Sequence, residues 1–327
     1  MSTPATSASG TASVASPPFS SAPVSAGPSS ATRGALAAGG CFVLWGLFPV
    51  FWKQMQGIPA TELICHRIVW SLLFLFAVLA WQGTLRGTFA VFANTRLVAL
   101  NALSSVLLAC NWLIFVWGVN NNHVVECSLG YFLTPLCNVA LGCAFLRERL
   151  SRLQWSAIVL AGIGVAILLL RLGHIPWIAF GLAGSWSLYG ILKKQSALGA
   201  LASLTVETLL LFPLAAGWLV WLALRGDGAL GHVNLAQHGW LLSVGLVTAV
   251  PLLLFGWGAR RLRLTTMGLL LYINPTLQFL IGLFVYHETL ETPQLWAFAC
   301  IWAGLIVYTA DSFLASRQVS GSPHRAR

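Results

Sequence analysis

The sequence predicts an all-α integral membrane protein with ten transmembrane helices, arranged as two inverted five-helix repeats. Three observations carry that expectation. Only 8% of the 327 residues are charged while 57% are hydrophobic, against about 25% charged in an ordinary soluble domain. Apolar runs of membrane-crossing length recur along the chain. Motifs from the first half return in the second at an offset of about 140 residues.

Composition already excludes several classes. A water-soluble fold of this size must cover itself with polar side chains, and 18 basic plus 8 acidic residues are too few. Lipid removes that requirement, so the bilayer is the expected surrounding. The net charge of +10 does not point to nucleic acid. The basic residues are spread thinly between apolar runs, with no basic stripe and no interleaved aromatics. None of the seven cysteines forms a CxxC pair, and no His/Cys cluster has metal-ligand spacing. They read as small buried hydrophobes, and neither metal nor cofactor is expected.

Residues 1–34 are Ser, Ala, Pro, Thr and Gly with almost no charge. They are expected to form a disordered tail. A spanning helix needs about 20 mostly apolar residues. The first span, about 35–52, follows Arg33 and ends at Lys53. The second, about 63–81, is followed by Arg86 and Arg96. The third, about 97–118, runs into Asn120, Asn121 and Asn122. The fourth, about 126–146, ends at Arg147, Arg149 and Arg152, and the fifth, about 153–171, at Arg171. The sixth, about 176–192, meets Lys193 and Lys194. The seventh, about 203–224, stops at Arg225. The eighth, about 239–258, precedes Arg260, Arg261 and Arg263. The ninth and tenth, about 265–286 and 294–313, leave a polar tail over 314–327. The links LRERLSR and HETLETP are so short that the helices they join must pack antiparallel.

With the N-terminus in the cytoplasm, fourteen Lys and Arg fall on the cytoplasmic side. Lys53, Arg171 and Arg225 fall on the other, and Arg67 lies within the second span. That is the bias of the positive-inside rule. It predicts a multi-pass inner (plasma) membrane protein with both termini cytoplasmic.

The repeat rests on particular residues. Pro135 and Pro275 are 140 positions apart, as are Glu148 and Glu288, Gly142 and Gly282, Leu150 and Leu290, and Gln154 and Gln294. WGLFPVFWKQ from Trp45 matches WSLYGILKKQ from Trp186 at an offset of 141. The expected repeats are 35–171 and 176–313. Five helices per copy make the second copy enter the membrane from the opposite side. In inverted repeats of this kind the site lies at the repeat interface near the midplane. Proline inside a spanning helix removes a backbone hydrogen bond and bends the rod. Pro49, Pro135 and Pro275 are therefore hinge candidates, the last two as paired kinks flanking a cavity.

Polar residues within the spans are costly and mark candidate pathways. Glu207 has only Thr205 and Thr208 as polar neighbours. Arg67 stands 140 residues earlier, at the equivalent repeat position, and is its expected counter-charge. His66 adjoins Arg67 and titrates near neutral pH when unperturbed. Asn111 is mid-helix, where a lipid-facing helix would carry Leu. Asn138 and Gln278 match across the repeat, and Asn274 precedes Pro275. Tyr131, Tyr189 and Tyr272 offer hydroxyls on flat apolar bodies. Trp45, Trp112 and Trp186 lie deeper than an interfacial belt needs. Together these could line an amphiphilic cavity for a small organic solute.

Several stretches make the comparison specific: WGLFPVFWK at 45–53, ELICHRIVWS at 62–71, NWLIFVWGVNNNHVVECSLGYFLTPL at 111–136, residues 186–194, VETLLLFP at 206–213, and 247–274. Across 35–313 the chain resembles the RarD branch of the EamA-like, drug/metabolite transporter superfamily. The resemblance implies ten spans in two inverted repeats, inner-membrane residence and transport of small solutes. The family pattern includes Glu62 and the His66–Arg67 pair. The Ser/Pro-rich N-terminal extension departs from it.

Secondary transport by alternating access, as a permease or exporter of a small organic metabolite or drug-like solute, is the leading reading. No GxxxxGK[ST] motif supports an ATPase. A proton-coupled carrier would use Glu207 as its loading carboxylate. A nontransporting sensor or regulatory protein, or an intramembrane enzyme, is the alternative. Either a monomer or a homodimer fits the sequence.

Overall fold

The computed structural model describes residues 28–55, 57–121, 123–170, 175–285 and 292–320. Among these residues there are helices and turns and no strand. The first crossing is made by α1 (Pro28–Gly46) and α2 (Phe48–Trp52), and the second by α3 (Ala60–Trp81). After the short α4 (Leu85–Phe89) come α5 (Thr95–Asn120), α6 (Val124–Leu146) and α7 (Arg152–Leu170). The second half follows with α8 (Trp177–Gln195), α9 (Ala200–Arg225) and α10 (Leu235–Ala259). Then α11 (Leu264–Leu270) and α12 (Ile273–Phe284) share one crossing, and α13 (Thr292–Ser320) ends the bundle.

Among the described residues, eight segments are long and apolar enough to cross a membrane, and Leu295–Tyr308 of α13 is a shorter apolar stretch. The remaining crossing, α8, is diluted by glycine and serine and ends in Lys193 and Lys194. Of these, Ser187, Gly190 and Lys193 are buried against neighbouring helices. Trp81, Leu170, Leu214 and Leu224 point outward and are exposed, as side chains facing lipid can be.

The helix pairs record the repeat. α7 packs on α13, α3 on α9, and α6 on α11, each joining equivalent crossings of the two halves. The pair α6–α8 is matched by α12–α1, α5–α8 by α10–α1, and α5–α9 by α10–α3. Exchanging the first five crossings with the last five returns these pairs, as a two-fold relation requires. The glycines show it at atomic scale. A Cβ on Gly164 would stand 2.6 Å from the Ala297 carbonyl oxygen, and one on Gly304 would stand 2.6 Å from that of Ala157. Gly164 and Gly304 are 140 positions apart, and so are Ala157 and Ala297. Small residues at both crossings let the α7 and α13 backbones touch.

The prolines behave less symmetrically than expected. α1 begins at Pro28, ahead of the expected start at 35, and breaks at Leu47, so Pro49 sits in the first turn of α2. The ninth crossing breaks at Leu271 and Tyr272, just before Pro275. Pro275 has no N–H for the Leu271 carbonyl, which instead accepts from Asn274 N at 3.0 Å. Pro135 lies inside an unbroken α6. That helix is gripped on two sides. Gly130 abuts Leu182 of α8, and Gly268 of α11 lies so close that a Cβ there would be 2.9 Å from the Pro135 carbonyl oxygen. The expected pair of kinks is thus a break in one copy and a clamped helix in the other.

Glu148 ties the halves together at the end of the bundle where α6 stops. Arg147 has φ 52, a left-handed residue closing α6, and Glu148 N donates to Gly142 O at 3.1 Å. The Glu148 carboxylate then accepts from Leu264 N at 2.8 Å and Thr265 N at 3.1 Å, the first turn of α11. Lys194 Nζ lies 3.2 Å away. Burial disfavours its charge, but the two backbone N–H groups and Lys194 outweigh that and hold the carboxyl below its ordinary value. Its repeat counterpart Glu288, with Leu290, lies outside the described residues.

Candidate functional site

The buried polar groups gather around the line where the two halves meet. Glu207 is fully buried on α9. Its Oε2 lies 2.8 Å from Lys193 Nζ on α8 and accepts from Tyr189 Oη at 3.3 Å. Its Oε1 accepts from Ser203 Oγ at 3.3 Å. Lys193 Nζ also donates to Ser203 Oγ at 3.0 Å, and Ser203 Oγ lies 3.0 Å from Asn101 Oδ1 on α5. Ser105 Oγ reaches the Glu207 carbonyl at 3.2 Å. A buried ion pair survives only with such supporting hydrogen bonds. The expected Glu207–Arg67 pair does not form, because Lys193 takes the carboxylate.

Arg67 has different surroundings. Its Nε donates to Thr248 Oγ1 of α10 at 3.1 Å. Its guanidinium lies 4.5 Å from the Trp112 ring centroid and 5.3 Å from that of Trp52, within cation–π reach of both. The signal for these partners was in the sequence. Aligning WGLFPVFWKQ with WSLYGILKKQ sets Trp52 opposite Lys193, as the 140-residue offset sets Arg67 opposite Glu207. Each half therefore joins equivalent positions, by an ion pair in one and a cation–π contact in the other. Residues related by a two-fold need not touch each other; each touches the counterpart of the other's partner.

Between these two clusters lies an aromatic core. Trp45 and Trp186, the first residues of the matched motifs, meet edge to face at 5.1 Å. Phe255 lies 5.1 Å from Trp186 and 6.0 Å from Trp45, and Tyr189 lies 5.4 Å from Trp186. Beside it is a small pocket with polar lining from Arg67, Ser71, Thr208 and Thr248 and apolar lining that includes Trp112 and Leu204. It has room for about one water.

The other expected site residues divide. Tyr131 packs on Phe115 at 5.9 Å. Gln278 Nε2 donates to Asn274 Oδ1 at 2.8 Å and lies 3.4 Å from the Trp45 carbonyl oxygen, beside the aromatic core. Asn111 Nδ2 donates to Leu182 O at 2.9 Å and Ser185 Oγ at 3.0 Å, which joins α5 to α8. Tyr272 Oη donates to Phe132 O at 3.2 Å, a bond between repeat-equivalent positions. Asn138 is buried where α6 crosses Gly268, and its Oδ1 has no hydrogen-bond partner among the described residues. His66 faces away from Arg67. Its Nδ1 accepts from Trp70 Nε1 at 3.2 Å, and its Nε2 lies 3.6 Å from Glu62 Oε1. That same oxygen accepts from Ala229 N at 2.6 Å, anchoring the α9–α10 loop.

The comparisons with known proteins agree with this geometry. Residues 32–170, the first five crossings, match the EamA-like transporter family. The chain is 40% identical over 287 residues to the uncharacterized transporter YojE of Bacillus subtilis, covering 85% of this chain and 93% of that one. It is 40% identical over 286 residues to the protein RarD of Salmonella typhi, covering 88% and 97%. It is 37% identical over 288 residues to the protein RarD of Escherichia coli, again 88% and 97%. A solved crystal structure superposes with a TM-score of 0.66 at 17% identity, over 85% of this chain and 97% of the other, a likeness of fold. With such identity along nearly the whole length of its relatives, and with the paired helices just described, the chain belongs to the RarD branch of the EamA-like transporter family.

Proposed function

We propose that this membrane transporter is a secondary carrier that moves a small organic solute by alternating access. The observation that carries the reading is the placement of the pocket. Arg67 and Ser71 on α3 and Trp112 on α5 come from one half, and Leu204 and Thr208 on α9 with Thr248 on α10 come from the other. Rocking one half against the other would open such a pocket first to one side and then to the other. Residues 35–171 and 176–313 are the moving repeats. The breaks before Pro49 and Pro275 and the clamp at Pro135 are the pivots. Both termini lie in the cytoplasm in this reading, which the fourteen-to-three distribution of basic residues supports.

The proton is the coupling ion in this reading, and Glu207 is the carboxylate that loads it. Protonation would release Lys193 to Ser203 and Asn101, so charge and helix contacts change together. The test is counterflow in proteoliposomes. Vesicles preloaded with one organic solute should accumulate the labelled solute against its gradient, and empty liposomes should not. Absence of counterflow across amphiphilic acids, amides and amines would count against a carrier. Glu207→Gln combined with Lys193→Met, reconstituted at the same protein density as the wild type, should lose acceleration by a pH gradient while counterflow persists; unchanged acceleration would remove Glu207 from coupling.

A further inference from the structure

We propose that the pocket beside Arg67 is a binding site for an organic monoanion, a carboxylate on a small apolar body. The inference rests on the carrier reading and names its substrate class. The argument begins with charge. Lys193, buried on α8, is neutralised by Glu207 at 2.8 Å. His66 accepts a hydrogen bond on Nδ1 from Trp70, so its ring is neutral as placed. Glu62 shares α3 with Arg67 but is turned to Ala229 N and His66. Glu126 lies 3.4 Å from His123, and Glu148 is held by Lys194 and the start of α11. No described carboxylate lies within 4.0 Å of the Arg67 guanidinium. One positive charge is thus left at the pocket, eight residues into a 22-residue membrane helix, where an unanswered charge is costly.

The donors point the same way. Arg67 spends Nε on Thr248, and its terminal nitrogens donate to no described residue. A guanidinium fork of this kind matches the two oxygens of a carboxylate. Two of the three hydroxyls lining the pocket are already spent as donors, and the third, Thr248 Oγ1, accepts from Arg67. Ser71 Oγ donates to Gly245 O at 3.1 Å, and Thr208 Oγ1 donates to Leu204 O at 2.7 Å. A sugar, which needs many polar partners, would leave several of its hydroxyls unmatched. An amine would meet like charge. The remaining walls, with Trp112 and Leu204, are apolar and suit a short hydrocarbon or ring. The pocket as it stands holds about one water, so the solute enters as α3 and α5 part from α9 and α10.

Tryptophan fluorescence of the purified full-length protein in lipid nanodiscs reads this directly, since Trp52 and Trp112 flank Arg67. The probes are phenylacetate and hexanoate, each against its neutral amide. Each acid should bind at least tenfold tighter than its amide. Arg67→Gln should erase the difference, and Arg67→Lys should keep part of it. Equal binding of acid and amide by the wild-type protein overturns the proposal without any variant. So does an undiminished acid preference in Arg67→Gln, or no binding of either acid at millimolar concentration. Counterflow of the same probes separates the two claims. Acid-selective binding without counterflow leaves the anion site and sinks the carrier; counterflow of amide and acid alike does the reverse.

Discussion

At the scale of single residues, Glu207 and Lys193 should behave as a unit. Glu207→Gln leaves a buried ammonium unpaired, and removing one partner of such a pair costs about 3–5 kcal/mol. Membrane abundance should fall sharply, and Lys193→Met in the same chain should restore much of it. A double-mutant cycle on abundance should show strong coupling for this pair and little for Glu207 with Arg67. The reverse ranking would refute the assignment. Glu148 gives a prediction in pH. Its folded carboxyl is held below the ordinary value, so its stabilisation is fully present above about 4, the unfolded range. It is lost as pH falls through the lowered folded value. Glu148→Gln should lower the melting temperature at neutral pH and flatten its acid dependence; an unchanged acid limb would exclude Glu148 as its source. The candidate residues themselves were legible, because a polar side chain in an apolar run stands out. Their partners were harder to read. Lys193 stands at the foot of its span, where a lysine ordinarily reads as a topology signal, and only the motif alignment reveals its role.

At the scale of helices, two close crossings invite substitution. Gly164→Ala and Gly304→Ala each set a methyl group 2.6 Å from a backbone oxygen of the facing helix. Overpacking of this kind costs about 1–3 kcal/mol, and the two-fold predicts similar losses at both sites. Melting curves of the two variants in detergent would show it; a large loss at one and none at the other would break the equivalence. Gly245→Ala is more severe, since its methyl would stand 2.3 Å from the Trp70 carbonyl carbon. It should prevent α10 from seating on α3. Eight of the crossings were readable from apolar length, α8 and α13 less plainly so, and the repeat from paired prolines and glycines. The break before Pro275 and the unbroken α6 were not, because a proline's effect depends on what packs around the freed carbonyl. Gly268 against Pro135 is a contact between halves that no local pattern contains.

At the scale of the molecule, the account combines a topology with a motion. Alkaline phosphatase fused after the loops near His123 and Asp227 should be active, and after Arg263 silent; the opposite pattern would invert the protein in the membrane. The central claim is that a pocket built by both halves faces each side of the membrane in turn. Thr208→Cys, in a chain whose seven native cysteines are replaced, places a thiol in that pocket. The measurement is its modification by a membrane-impermeant maleimide in right-side-out and in inside-out vesicles. Alternating access predicts labelling from both sides, slowed in each case by a transported solute. Labelling from one side alone, unaffected by any solute, would describe a fixed recess and contradict the account.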